Sequence, residues 1–360
     1  MKVAFIARAT LFTGKGGDTL QILQTARHLA SYGIEADIRL AGDVIDYDQY
    51  DLLHFFNLTR PADILYHIGK TSKPFVVSPV LVDYTEYDKH HRKGIAGRLF
   101  RFLPGNGIEY MKTMARWIKG KDRPLHVPYL LKGHRKSIQE ILARAILLLP
   151  NSEMEYGQLA KLYKTLPGYA VVPNGVDATV FQRGNGNRKE ALLVLCVARI
   201  EGIKNQLNLV KALNNTRYQL VIIGAPAPNQ VAYYEACRKI AAGNITFTGP
   251  LPQQEVVAYY RRARVHVLPS WFETCGLATL EAAAMGCNVV VSDRGYTREY
   301  CGDDAVYCDP ASPAAILEAV TKAAAGGDNS TLREKILTHY TWQNAAIATA
   351  GAYKKAIAEL

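Results

Sequence analysis

The sequence predicts an α/β protein made of two doubly wound, parallel-sheet domains. Short apolar runs of strand length alternate with helix-like segments along most of the chain. The alternation breaks over residues 85–140, which are basic and rich in aromatics, and then resumes. Proline and glycine cluster in LPGYAVVPNGVD (166–177), which separates two such series.

In the first series VAFIA (3–7) precedes a Gly-rich turn and the amphipathic stretch DTLQILQTARHLASYG (18–33). ADIRLA, DLLHFF and KPFVVSPV follow, and AILLLPNS (145–152) resumes the pattern. The second series contains ALLVLCVA, YQLVIIG, NITFTG, ARVHVLPS, CNVVVSD and AVYCD, with helical stretches between them. The terminal WQNAAIATAGAYKKAIAEL reads as a helix. The expected division is therefore a first domain over 1–168, a second over 169–340, and a helix over 341–360 that returns to the first. Two such domains are expected to face each other across a cleft.

Size and composition agree with this organisation. A chain of 360 residues can bury two cores of ordinary size. With 49% hydrophobic and 21% charged residues it is neither disordered nor fibrous. MKVAFIARAT reads as a first strand and not as a secretory signal. No run reaches the roughly 18–20 apolar residues that span a bilayer. The cysteines at 196, 237, 275, 287, 301 and 308 form no CxxC pair and have no histidine cluster beside them. That usage suggests buried, reduced thiols in a cytoplasmic protein and argues against zinc.

The formal charge of +11 is uneven. Residues 1–170 carry 24 Lys and Arg against 16 Asp and Glu, a net +8, and the rest of the chain nets +3. Between 89 and 136 thirteen cations meet only Glu109 and Asp122. Such a surface suits phosphates, nucleic acid or anionic lipid. No RRM, helix-turn-helix or OB pattern accompanies it, so a nucleic-acid partner is not expected.

Three motifs carry chemistry. TGKGGDTLQ (Thr13–Gln21) has glycines through which backbone amides can approach an anion ahead of a helix N-terminus. It is neither GxGxxG nor a P-loop, and a tight strand-to-helix turn without ligand explains it equally well. VARIEGIKNQ (197–206) places Arg199 and Lys204 just past a strand, where ligands of open α/β sheets bind. Two cations there can neutralise a diphosphate; two solvated loop cations are the plainer alternative. In HVLPSWFETCGLATLEAAAMG, Glu273 lies on the loop after a strand, and the amides of Cys275, Gly276 and Leu277 open a helix. Glu281 follows two turns later, so the two carboxylates can share only an extended ligand. Carboxylates accept well from diols, and a nucleotide sugar presents hydroxyls at both ends of a diphosphate.

These pieces resemble the retaining glycosyltransferases of family 4, also called glycosyl transferases group 1. VVPNGVDATVF (171–181), VARIEGIKNQ, LVIIGAP (220–226), the long run 245–300 and AVYCDPASP match in order over about 130 residues. The resemblance implies the GT-B fold, two Rossmann-like domains, and metal-independent transfer of a hexose from a UDP- or GDP-sugar with retained configuration. It implies that Glu281 holds the ribose hydroxyls and that Glu273 meets the hexose with the amides of Cys275–Leu277. Arg199 and Lys204 clamp the diphosphate, and Gly16 and Gly17 close over it. No protein nucleophile is implied, because the leaving phosphate assists the acceptor hydroxyl. Relatives often carry a histidine after the fourth strand of the first domain. Here that region reads SPVLVDYTEYDKHH, and Asp83 is the candidate for the place, with His90 or His91 as alternatives and a capping role for Asp83 equally open.

The segment 97–124 mixes large apolar side chains with seven Lys and Arg and is broken by LPGNG. It reads as two amphipathic pieces that suit the inner face of a membrane and a lipid-linked acceptor, or else as a hairpin packed on its own domain. The acceptor implied is a glycan or lipid-linked glycan in polysaccharide biosynthesis. An epimerase or phosphorylase on the same fold and a non-catalytic nucleotide- or glycan-binding module are the rival readings. A dinucleotide oxidoreductase rests on the Gly-rich turn alone.

Overall fold

The structure is a computed structural model that describes residues 1–92, 94–118, 120, 127–182 and 189–358, and of 94–96 the backbone only. The chain forms two compact units. One comprises Met1–Val82, Leu99–Asn174 and Trp342–Leu360, and the other Asp83–Arg98 and Gly175–Thr341.

The first unit holds strands β1 (Lys2–Ala7), β2 (Glu35–Leu40), β3 (Leu52–Phe56), β4 (Phe75–Ser78), β5 (Leu147–Leu148) and β6 (Gly168–Tyr169). They form one parallel sheet in the order β2-β1-β3-β4-β5-β6. The unit's helices are α1 (Gly17–Leu29), α2 (Pro61–Ile68), α4 (Gly105–Ile118), α5 (Val127–Arg144) and α6 (Glu153–Leu162), whereas α3 (Gly94–Phe100) lies mostly in the Asp83–Arg98 segment of the second unit. β1, β3 and β4 are buried almost throughout, as their unbroken apolar runs require in a sheet covered on both faces. The C-terminal helix Trp342–Ala358 packs in this unit, where the Tyr353 hydroxyl and His54 Nδ1 lie 2.6 Å apart.

The expected break at 168–169 lies elsewhere. Gly168–Tyr169 is the edge strand of the first sheet, and Val172 N donates to Pro150 O at 2.8 Å, so the first unit runs on to Asn174. Proline and glycine mark a linker in sequence, but pairing to β5 uses backbone groups alone and leaves no side-chain signature. The basic segment forms α3 and α4 around the break at 101–104, and its residues 119 and 121–124 lie outside the described residues.

The second unit holds β7 (Glu190–Val197), β8 (Gln219–Ile223), β9 (Ile245–Gly249), β10 (Ala263–Leu268), β11 (Asn288–Ser292) and β12 (Val306–Cys308). Their order is β12-β11-β10-β7-β8-β9, all parallel. Helices α7 (Gln206–Leu213), α8 (Val231–Ile240), α9 (Gln253–Arg262), α10 (Leu277–Ala284), α11 (Thr297–Cys301), α12 (Pro313–Ala325) and α13 (Ser330–His339) link and cover them. The order reverses at β7, whose neighbours are β8 and β10. That reversal opens a crevice at the carboxyl ends of β7 and β10. All six cysteines are buried. Among the described residues no helix is long and apolar enough to cross a membrane.

Candidate active site

The loop after β7 carries the motif VARIEGIKNQ, and four contacts fix its course. Gly224 has φ +146°, and a Cβ there would lie 2.0 Å from Ala198 O, so only glycine admits this close passage. Residues Gly202–Lys204 then form a short 3-10 turn. Asn205, at φ +60°, donates from Nδ2 to Pro269 O (3.0 Å) and Pro310 O (2.7 Å), while Trp271 N donates to Ile203 O (2.8 Å). The loops that follow β7, β10 and β12 are thereby tied together.

Glu273 is the point on which the loops after β7, β10 and β11 converge. Lys204 Nζ donates to its Oε1, which also accepts from Ser270 Oγ at 2.8 Å. Ser270 is itself held, because Ser292 Oγ at the end of β11 donates to Ser270 O. The Glu273 backbone is clamped by the loop after β11, with Tyr296 N donating to Glu273 O at 2.8 Å and Glu273 N to Arg294 O at 3.3 Å. Gly295 lies between them at φ +90°, where a Cβ would stand 2.0 Å from Glu273 O. Glu273 is 6% exposed, so its charge is held with a cation, a hydroxyl and little water. Burial works against a charged Lys204, and the Glu273 and Glu201 carboxylates more than offset it, which lifts its pKa above the ordinary lysine value.

The remaining second-unit candidates lie on the loop after β7, on the loop that leads into α10, and on α10 itself. Arg199 donates to Glu201 Oε1 at 2.9 Å, and its side chain is 46% exposed. Its carbonyl accepts from Gln206 Nε2 at 2.9 Å. Gly276 caps α10 at φ +67°, and its Cβ position lies 3.9 Å from Glu273 Oε2. Cys275 is buried and Leu277 packs against the core, so both can offer only backbone to a ligand. Glu281, on α10, accepts from the Tyr260 hydroxyl at 3.2 Å. Burial raises its carboxyl to about 7, and the Tyr260 bond restrains the rise.

Of the candidates expected in the first domain, Gly16 and Gly17 fall in the first unit and Asp83 in the second. Gly16 caps α1, and its N–H donates to Thr19 Oγ1 at 3.1 Å; Gly17 opens the helix. Arg8, absent from the sequence reading, staples the turn by donating to Asp18 Oδ2 (2.5 Å), Thr10 O (2.8 Å) and Gly14 O (2.8 Å). Asp83 accepts from Thr85 N at 2.8 Å, which is a turn-capping contact. It begins the segment Asp83–Arg98 that belongs to the second unit. In that segment the His91 ring stacks on Trp271 at 3.4 Å between centroids. Ser270, Gly295, Tyr260 and Asn205 were not picked out in sequence. Of these only Asn205 and Gly295 carry a local signal, a residue type at ease in the left-handed region.

Residues 177–336, almost the whole main segment of the second unit, match the family described as glycosyl transferases group 1. The match spans 160 of the 360 residues, and over that stretch the chain is similar to the group 1 glycosyltransferases. It is 26% identical over 387 residues to a D-inositol 3-phosphate glycosyltransferase of Acidothermus cellulolyticus, covering 96% of this chain and 86% of that one. In structure it is similar to a sucrose-phosphate synthase from Thermosynechococcus elongatus, with a TM-score of 0.78 at 17% identity over the full length of both. Anabaena Alr3699/HepE, solved with UDP and glucose, gives a TM-score of 0.64 at 13% identity, again over both full chains. With its two parallel six-stranded sheets, the chain has the GT-B fold.

Proposed function

We propose that the enzyme transfers a hexose, with retention and without a metal, from a UDP- or GDP-sugar to a glycan or lipid-linked glycan acceptor in polysaccharide biosynthesis. The observation that carries this reading is the partly buried Lys204–Glu273 pair at the β7/β10 crevice, held by three loops. Lys204 and Arg199 receive the diphosphate, and the N-terminal amides of α10 add a partial positive charge on the same side. Glu273 accepts from hexose hydroxyls, and Glu281 accepts from the ribose diol. In the retaining step the bond from the anomeric carbon to the β-phosphate oxygen breaks. The acceptor oxygen bonds to that carbon on the same face, and its proton passes to the departing phosphate oxygen. Lys204 stabilises the charge that grows on the leaving group.

Apolar side chains around α3 and α4 support a membrane-surface location. Phe102 is 84% exposed and Ile118 74%, with Leu99 and Trp117 also exposed and Arg98 and Arg101 close by in sequence. A second reading of the acceptor comes from the Acidothermus relative, whose name specifies a phosphorylated cyclitol. On that reading the +8 net charge of residues 1–170 serves an acceptor phosphate.

Calorimetric titration with UDP, GDP, ADP and TDP, with and without chelator, tests the donor side. Binding of UDP or GDP that survives chelation supports the reading, and no binding by any of the four overturns it. With the donor sugar known, turnover on inositol 3-phosphate against an oligosaccharide decides between the two acceptors.

A further inference from the structure

The segment Asp83–Arg98 leaves β4 of the first sheet but belongs to the second unit. Its central turn, Tyr87–His91, has the wide i to i+5 helical geometry, a form enriched at functional sites. Arg92 N donates to Tyr87 O at 2.8 Å to close it, and Arg92 Nε donates to the fully buried Asp88 at 2.6 Å. The turn lies on the short turn Gly202–Lys204, from which the Lys204 side chain springs. Tyr87, 9% exposed, sets its hydroxyl against Gly202 so tightly that a Cβ on Gly202 would be 1.9 Å from it. Four residues on, the His91 ring covers the ring of Trp271, whose backbone N–H donates to Ile203 O.

We propose that Tyr87 and His91 are positioning residues for the diphosphate cation. Tyr87 holds Gly202 from one side, and the His91–Trp271 stack holds Ile203 from the other. Lys204 is thus set by a segment distant in sequence as well as by its own loop. The proposal rests on the reading of Lys204 as the diphosphate cation. It goes beyond that reading in giving Tyr87, Gly202, His91 and Trp271 a part in donor recognition without contact to the donor. The role fits the residue types: a rigid phenol against a glycine, and two flat rings face to face, fix distances better than flexible chains do.

The test uses the full chain and compares UDP with UMP, and GDP with GMP, by calorimetry. A loosened Lys204 weakens the diphosphate selectively, since displacements near 1 Å can cost up to about a hundredfold. Tyr87→Ala and Gly202→Ala are expected to weaken the diphosphate about tenfold and to change the monophosphate less than twofold. His91→Ala is expected to act in the same direction, and His91→Phe, which keeps a flat ring on Trp271, to restore affinity. Equal weakening of both nucleotides, no weakening at all, or failure of His91→Phe to rescue overturns the proposal. Lys204→Ala is the control. If it leaves the diphosphate preference intact, the reading of Lys204 itself falls. If it removes the preference while the Tyr87 and Gly202 variants keep it, only the positioning role falls.

Discussion

Replacing Glu281 with glutamine removes an ionisable group and keeps an acceptor for the Tyr260 hydroxyl, which now donates to Glu281 Oε2 at 3.2 Å. Burial raises the Glu281 carboxyl from an ordinary 4.5 to about 7. The sign follows from the direction of the shift. A folded-state pKa above the unfolded one means that the folded protein holds the proton more tightly. The stabilising contribution is therefore complete below about 4.5 and is lost as the pH rises through about 7. At about 1.4 kcal/mol per pH unit, the loss between pH 5 and pH 8 comes to about 2.5 kcal/mol. Partial exposure of the side chain trims it to about 2 kcal/mol. The amide does not titrate, so Glu281→Gln should gain about 2 kcal/mol on wild type over that range, read by urea unfolding at the two pH values. A difference that stays constant with pH would falsify the account of the carboxyl. The proposed contact to ribose hydroxyls adds a second readout. Hydroxyl donors favour the ionised form, so UDP binding near pH 7 should release a proton. The release appears as a dependence of calorimetric enthalpy on buffer ionisation heat, and it should vanish in Glu281→Gln.

Gly295→Ala puts a Cβ 2.0 Å from Glu273 O at φ +90°, so it should cost about 1–3 kcal/mol in strain and lower turnover at least tenfold by moving Glu273; unchanged turnover would separate Gly295 from the site. Lys204→Ala leaves the 6%-exposed Glu273 without its cation, and Glu273→Ala in that background should cost less than in wild type, with a coupling of about 1–3 kcal/mol in a double-mutant unfolding cycle. Burial depresses the His54 imidazole from 6.5 to about 3, so its contribution is present above pH 6.5 and lost as the pH falls toward 3; His54→Gln should flatten the acid limb of the stability curve. Phe102→Ser with Ile118→Ser should reduce sedimentation with phosphatidylglycerol vesicles severalfold, with UDP affinity unchanged; equal sedimentation would remove these side chains from any membrane contact.

Much of the fold was legible because parallel strands buried on both faces leave unbroken apolar runs, as in LLHFF and NVVVS. The two-residue strands β5 and β6 leave almost none, and β6 hid in a proline- and glycine-rich stretch. Lys204 and Glu273 were legible individually, each as a charge just past a strand. Their pairing was not, because sixty-nine residues separate them and only the strand order brings β7 beside β10. The supports were less legible still. Ser270 reads as the end of a strand, and Gly295 as one glycine among 28. The course of Asp83–Arg98 was the least accessible, because its contacts are a phenol against a glycine and a ring against a ring, which follow no periodicity.

The free site neutralises itself, and that bears on how it would receive a donor. Lys204 is paired with Glu273, and Arg199 with Glu201. A diphosphate arriving there does not meet two free cations; it must share or take over cations already engaged. The Lys204 exchange is the costly one, because Glu273 is nearly buried and, among the described residues, Ser270 would remain as its side-chain donor. A sugar hydroxyl placed against Glu273 offsets that loss, so hexose and diphosphate should bind in a coupled manner. UDP alone leaves Glu273 short of a donor, whereas a UDP-hexose supplies one. In Glu273→Gln the carboxylate no longer holds Lys204, and bare UDP should bind more tightly than to wild type while the advantage of the hexose shrinks. Weaker binding of bare UDP by Glu273→Gln would show instead that Glu273 serves chiefly to hold Lys204 in place for the diphosphate.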